Sequence, residues 1–304
     1  MRGHKIVPQF GKRITDVLKG MLRPSLMAAD GKRLVVADWA AIEARVTPWA
    51  SNTNHGADKL ELFGRGADVY KYNAAATFKV AYADVDKDQR QIGKVQELAC
   101  GFAGGIGAFA SMGRIYNVVL AESDSRRMVD AWRRANPWAQ TYWSRLEQSY
   151  MGAMRNPGTE FPAGRVTYLF DKQHLWYALP SGRVLCYPFA RFDDEGGVTY
   201  AKAAWKPAAD AKEWPRARLW RGLACENITQ AIANDLLRYA LRRLEEEGFD
   251  VVLHVHDEIV LEVNADQADA AAATLVKIMR TPPMWAAGLP LNAEVAVMSR
   301  YGKG

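Results

Sequence analysis

Along Leu253-His254-Val255-His256-Asp257-Glu258-Ile259-Val260-Leu261-Glu262-Val263, Val, Ile and Leu alternate with polar residues. That is the period-two pattern of a half-buried strand. The alternation breaks at the centre, where His256, Asp257 and Glu258 stand side by side. Neighbouring carboxylates repel, and flanking them with apolar residues costs stability. A tight hairpin that displays them at a surface resolves the conflict if a cation binds there; an ordinary polar turn is the other reading. A second apolar run, Arg33-Leu34-Val35-Val36-Ala37-Asp38, also ends in a carboxylate. Beyond it Ile42, Val46 and Trp49 can share one helix face. Asp38 is therefore expected at the C-terminal end of a strand and Glu43 in the first helical turn that follows. Asp38 can also serve as that helix's N-cap, and the two roles are compatible.

The remaining pattern is mostly helical up to residue 151. Ile14, Val17, Leu18, Met21 and Leu22 fit one helix face, with Lys12, Arg13, Lys19 and Arg23 on or near the other, as a solvated edge or a phosphate contact. Residues 52–82 read as loop and helix. Asp84 to Asp88 is an acidic helix start, and the helix predicted over 89–102 places Arg90, Lys94, Leu98 and Phe102 at every fourth position of one face. Two cations, an aliphatic and an aromatic in that order suit phosphates and a base. They equally suit a solvated end and a buried end. Gly104-Gly105-Ile106-Gly107 follows no strand and lacks the Gly-Lys-Ser/Thr of a P-loop. Residues 122–151 are helical and rich in Arg, Trp and Tyr, which suits a nucleic-acid surface or, for most of them, aromatics in the core and arginines in solvent. Residues 155–200 are turn-rich and β-rich, with Arg183 to Tyr187 a strand. A basic, proline-broken stretch at 201–218 carries Lys202, Lys206, Lys212, Arg216 and Arg218 with Trp205 and Trp214, and reads as a loop or insertion that can face nucleic acid. Asn227 to Glu247 is a long amphipathic helix ended by Gly248. Pro282-Pro283 stops a further helix, and Leu291 to Met298 is the last strand.

Composition narrows the chemistry. The 304 residues are 49% hydrophobic and 24% charged, as in globular proteins, with a net charge of +6 that suits a polyanionic partner. Three cysteines, Cys100, Cys186 and Cys225, form no Cys-x-x-Cys pair, which points to a reduced, cytoplasmic setting without a zinc site. No apolar run is long enough to span a membrane, so no membrane partner is expected. If the strands ending in Asp38 and carrying Asp257 are neighbours, their carboxylates can hold two divalent ions. Such ions, about 3.5–4 Å apart, activate an attacking oxygen and stabilise a leaving one. Magnesium prefers carboxylate and phosphate oxygens. With a cationic helix in addition, this is a constellation for nucleotidyl transfer.

These residues resemble motifs of a known family. Asp38-Trp39-Ala40-Ala41-Ile42-Glu43-Ala44-Arg45 is similar to motif A of family A DNA polymerases, the bacterial DNA polymerase I type. Arg90 with Lys94, Leu98 and Phe102, followed by glycines, resembles motif B, and Val255-His256-Asp257-Glu258 resembles motif C. Gln230-Ala231-Ile232-Ala233-Asn234-Asp235 is similar to the helix just before motif C. The glycine-rich motif B and the Asp-Trp of motif A look most like bacteriophage polymerases. The resemblance covers about Arg23 to Gly304.

It implies an α+β fold: a palm with an antiparallel β-sheet and packed helices, and a mostly helical fingers subdomain. The palm would comprise 1–51 (motif A) and 189–304 (motif C), and the fingers 52–188 (motif B). The thumb and exonuclease domains of the family are expected to be absent, so a separate chain would supply them or the chain is half of a split polymerase. The implied activity is template-directed DNA synthesis from dNTPs on primer-template DNA with two Mg2+ ions, in phage DNA replication in the cytoplasm of a bacterial host. Asp38 and Asp257 would bind the metals, with Glu258 tuning them. Glu43 would exclude a ribose 2′-hydroxyl. Arg90 and Lys94 would hold the triphosphate, Lys94 also donating a proton to pyrophosphate. Phe102 would stack at the insertion site, His256 would approach the phosphates or primer end, and Gln230 would read the minor groove. Arg45 would be structural. Trp39-Ala40-Ala41 replaces the usual Tyr-Ser-Gln, Phe102 a Tyr, Leu98 an aromatic and Glu226 an Asn. A non-catalytic nucleic-acid-binding subunit is the alternative, and Glu43 disfavours a related RNA polymerase.

Overall fold

The computed structural model describes residues 14–203 and 214–302. Lys12, Arg13, Trp205, Lys206 and Lys212 lie outside the described residues, as do the side chains of Ile14, Val17 and Lys19. In chain order the elements begin α1 (Ile14–Ser25), β1 (Lys32–Trp39), α2 (Ile42–Ser51), α3 (Asn54–Gly64), α4 (Val69–Phe78), α5 (Lys87–Cys100), α6 (Ile106–Ile115), α7 (Glu122–Ala135) and α8 (Pro137–Arg155). Short strands follow: β2 (Phe161–Ala163), β3 (Val166–Asp171), β4 (His174–Ala178), β5 (Val184–Tyr187), β6 (Arg191–Phe192), β7 (Val198–Ala201) and β8 (Arg216–Leu219). The chain continues through α9 (Arg221–Glu246), β9 (Val251–Val255), β10 (Glu258–Asn264), α10 (Ala268–Arg280) and β11 (Ala293–Met298). The fold is α+β with antiparallel sheets, as the sequence implies.

Two compact units divide these elements. The first takes residues up to Ala40, Leu236–Pro283 and those from Leu291 on. Its sheet runs β11-β1-β10-β9, all antiparallel. β1 is buried from Leu34 to Ala37 because both its faces are covered. Leu34 and Val36 pack with Val260 and Tyr301 on one face. On the other, Trp39 donates from Nε1 to the Met279 carbonyl of α10 at 2.7 Å. This explains why the run Leu34-Val35-Val36-Ala37 does not alternate: a strand covered on two faces needs apolar residues at every position.

The second unit comprises Ala41–Asp235 and Met284–Pro290, and holds α2 to α8, the sheet β2-β3-β4-β5 and the sheet β6-β7-β8. The aromatic-rich stretch is helical as expected, and forms two helices, α7 and α8, broken at Asn136-Pro137. Trp132, Trp138, Tyr142 and Trp143 are buried, while Arg126, Arg127, Arg134 and Arg145 are exposed. The start of α5 follows the acidic signal: Asp86 accepts from the Gln89 amide, and the Gln89 side chain accepts from Asp86 in return, a capping box. Glycine at 93 allows α5 to meet α4 backbone to backbone, since a Cβ there would lie 2.1 Å from the Tyr70 carbonyl oxygen. Among the described residues no helix is long and apolar enough to cross a membrane.

Candidate active site

The carboxylates gather at one end of the first unit's sheet. β1 and β10 are adjacent, and their register sets Asp38 opposite Glu258. On the other side of β1, Asp38 stands opposite Glu294 of β11. Directly paired residues share a face, so three carboxylates lie abreast on β11, β1 and β10. Asp257 precedes Glu258 in the two-residue turn between β9 and β10, and its carbonyl accepts from the Trp39 amide at 3.3 Å. The two aspartates separated by most of the sequence are thus neighbours at one sheet end. His256, the other turn residue, is exposed at φ 56°, a left-handed conformation that fits a tight hairpin. The expected break of the alternation is this turn.

Asp38 is not the cap of α2. That position falls to Ala41, at φ 53° and ψ 50°, with no side-chain cap bond. The left-handed Ala41 ends the strand and starts the helix without Asp38, which is exposed at the sheet end. Glu258 accepts from the Tyr301 hydroxyl, and burial together with that carboxylate pushes the Tyr301 phenol up to about 12. The Arg23 guanidinium sits over the Tyr301 ring at 5.2 Å. Glu294 and Tyr301 belong to this site and were not singled out from the sequence. Their only signal is a charge inside the apolar run of β11 and a lone Tyr beyond it.

Like charges facing across a sheet destabilise it, and a cation at the sheet end relieves that repulsion. The donor set suits magnesium: oxygen ligands only, with Asp38 exposed and Asp257 half-buried. Among the described residues, no three His, Cys, Asp or Glu side chains converge closely enough to hold a metal by themselves.

The cationic stripe belongs to the second unit. Arg90, Lys94 and Leu98 share one face of α5, but the regular helix ends at Cys100 and Phe102 lies in the turn beyond it. Ala103 adopts φ 58° there, and Gly104 passes so near the Ala99 carbonyl that a Cβ would be 1.9 Å from it. The predicted helix over 89–102 is therefore two residues too long, and Phe102 leaves the stripe. Arg90 donates from Nε to Asp68 Oδ2 at 2.5 Å. The same aspartate caps α4 through Oδ1, accepting from the amides of Tyr70 and Lys71. Tyr70 lies under Arg90 at 5.3 Å, and Tyr116 under Lys94 at 4.6 Å. Burial pushes the Tyr70 phenol up to about 12, so it stays neutral beside the cations.

Glu43 and Gln230 meet as well. Glu43 is in the first turn of α2, and Gln230 Nε2 of α9 donates to its Oε1. Arg45 is buried over the Phe63 ring at 4.2 Å, donates to the Pro290 carbonyl at 2.9 Å, and is lowered to about 10 by burial, which makes it structural. Beneath α5 lies a buried polar cluster that the sequence did not reveal. Lys59 pairs with Glu97, and Glu97 also accepts from Asn73 Nδ2 at 2.7 Å and Trp132 Nε1 at 3.0 Å.

Comparison with known proteins gives this geometry its context. No protein-family model matches the chain. The DNA polymerase of Bacillus phage SP02 is 34% identical over 295 residues, which are 96% of this chain and 44% of that protein. The chain is homologous to DNA polymerases. DNA polymerase I of Pseudomonas aeruginosa is 26% identical over 286 residues, 92% of this chain and 26% of that protein. The thermostable DNA polymerase I of Thermus thermophilus is 26% identical over 282 residues, 91% of this chain and 28% of its own length. The chain thus spans less than half the length of these polymerases. The fold matches the POL domain of Pol1 from M. smegmatis, solved in complex with DNA primer-template and dNTP, with a TM-score of 0.60. That match has 16% identity and covers 92% of this chain and 42% of that polymerase chain.

Proposed function

We propose that the chain is the palm and fingers of a template-directed DNA polymerase, joining dNTPs to a primer 3′-hydroxyl on primer-template DNA. The palm would be 1–51 with 189–304, the fingers 52–188. The observation that carries this reading is the adjacency of Asp38 and Asp257 at one end of the β1–β10 pair. Those two side chains would hold two magnesium ions, which when bound polarise the attacking and leaving oxygens. Glu258, held by the Tyr301 hydroxyl, would keep the local charge negative without leaving its strand. Arg90 and Lys94 would bind the triphosphate, and Lys94 would give a proton to the departing pyrophosphate. Phe102 would stack on the incoming base, and His256 would approach its phosphates or the primer end. A thumb from another chain or segment would add duplex affinity. The setting would be the cytoplasm of a bacterial host. Magnesium-dependent primer extension by the purified chain tests the reading; template-independent or absent incorporation, even with added duplex-binding partners, removes it.

Glu43 would bar a 2′-hydroxyl, and its bond to Gln230 would fix the carboxylate in that post while Gln230 also reads the minor groove. Glu43→Ala is expected to narrow the preference for dNTPs over ribonucleotides by about 10–200-fold, the worth of one steric group in a pocket. Competitive incorporation assays measure it, and an unchanged ratio would strip Glu43 of this role.

Asp68 would orient the Arg90 fork through Nε, leaving its terminal nitrogens to the phosphates. Asparagine caps a helix as well as aspartate does, so Asp68→Asn should melt like the wild type. It should still raise KM for dNTPs about ten-fold with kcat nearly unchanged. A KM equal to the wild type would show that Arg90 needs no such guide.

A further inference from the structure

Within the second unit, the sheet β6-β7-β8 borders a cleft of about 470 Å³, a volume in the range of small-ligand sites. Phe189 and Trp214 line it, together with Arg191 and Arg216. Among the described residues the lining contains both arginines and no carboxylate. Phe189 is 51% exposed and Trp214 58% exposed, so neither ring is there to fill a core.

Phe189 also adopts φ 50°, a region that bulky L residues rarely enter. Its surroundings hold it there from both sides. Its amide donates to His174 Nδ1 at 3.2 Å, and its carbonyl accepts from Arg216 Nη2 at 2.9 Å. Arg216 is itself fixed on Thr199, donating to the carbonyl at 2.7 Å and to Oγ1 at 2.9 Å. The His174 ring rests 5.1 Å from the Phe189 ring. The result is an apolar ring held in solvent by a strained backbone and a network of hydrogen bonds. Strain that persists because its neighbours over-determine it is a mark of binding sites.

We propose that this cleft takes a base of single-stranded DNA, stacked on the Phe189 and Trp214 rings, with its phosphates beside Arg191, while Arg216 holds Phe189 in place. Aromatic faces accept any base, and guanidinium groups supply the charge that a polyanion needs. Two described acids near the cleft are already engaged. Asp193 is occupied by the Glu195 and Gly197 amides, and Glu195 pairs with Arg218 at 3.0 Å. The site needs no metal and does not depend on the carboxylates of the first unit.

The test is fluorescence anisotropy of the full chain with a labelled oligothymidylate of about eight nucleotides, inside the span of one single-strand site, in EDTA. An abasic strand of equal length and charge serves as the second ligand. Trp214→Ala and Phe189→Ala should each weaken oligothymidylate binding about ten-fold and leave abasic binding at the wild-type level. Trp214→Phe, which keeps an aromatic face, should retain most of the affinity. Wild-type affinity for oligothymidylate in both alanine variants overturns the proposal. So do equal losses on both strands, because a ring that only supports the fold would not discern the missing bases.

Discussion

Asp38→Asn and Asp257→Asn should each lower primer extension by about 10³-fold or more, equivalent to roughly 4 kcal/mol of transition-state stabilisation. Asparagine keeps the shape of the side chain and removes its charge. If these residues serve to hold cations, the reaction suffers and the fold does not. The fold should hold, because Asp38 is exposed at the sheet end and asparagine keeps both the shape of the side chain and the backbone pairing with Glu258 and Glu294. Asp38→Asn is therefore expected to melt near the wild-type temperature while losing its activity. Magnesium should raise the melting temperature of the wild type by binding the folded state, and should raise it less in either variant. Thermal melting with and without magnesium, alongside primer extension, reads both signs at once. Full activity in either variant would end the assignment of metal-holding carboxylates; lost activity with a lower melting temperature and an unchanged magnesium response would make the residues structural.

The features that were legible in the sequence are those with a local period. The apolar run of β1, the capped start of α5 and the hairpin around His256 and Asp257 each follow from residues within about a dozen positions, where backbone geometry alone fixes the pattern. The pairing of Asp38 with Asp257 was a conditional inference, because strand adjacency depends on topology and leaves no periodic trace. The end of α5 was misplaced because four-residue spacing persisted through Phe102, whereas the close backbone approach of Gly104 to Ala99 ended the helix sooner. Asp68 beside Arg90, Tyr301 beside Glu258 and Gln230 beside Glu43 leave no trace in the sequence for one reason: the two partners are far apart along the chain and lie on separate elements. Nothing near Lys59 in sequence announces Glu97, which lies 38 residues further along in another helix.

That hidden pair supports the second large effect. Lys59 and Glu97 are both nearly excluded from solvent, at 5% exposure each. Besides Glu97, the Lys59 ammonium donates to Asn136 Oδ1 at 3.2 Å and lies 5.5 and 5.2 Å from the rings of Trp132 and Trp138. Glu97→Ala would leave this cation buried with only neutral neighbours, and removing one partner of such a pair costs about 3–5 kcal/mol. The pH dependence has a definite sign. Burial holds the Lys59 ammonium below its usual range, and Glu97 works against that shift. Without Glu97 the folded-state value falls further, while the unfolded lysine keeps its own. Below the unfolded value the unfolded chain then binds more protons, so stability rises with pH. The deficit of Glu97→Ala is thus largest near neutral pH and shrinks as pH climbs toward the unfolded lysine value of 10.5. Lys59→Met combined with Glu97→Leu removes both charges and should recover much of the loss, giving strong non-additivity in denaturant melts. The consequence reaches Arg90 and Lys94, because Glu97 follows them by seven and three positions on the same face of α5. Glu97→Ala should therefore also raise KM for dNTPs, and the double substitution should restore stability more fully than KM. Were the single variant to melt with the wild type at every pH, the pair would be neither buried nor an anchor for α5.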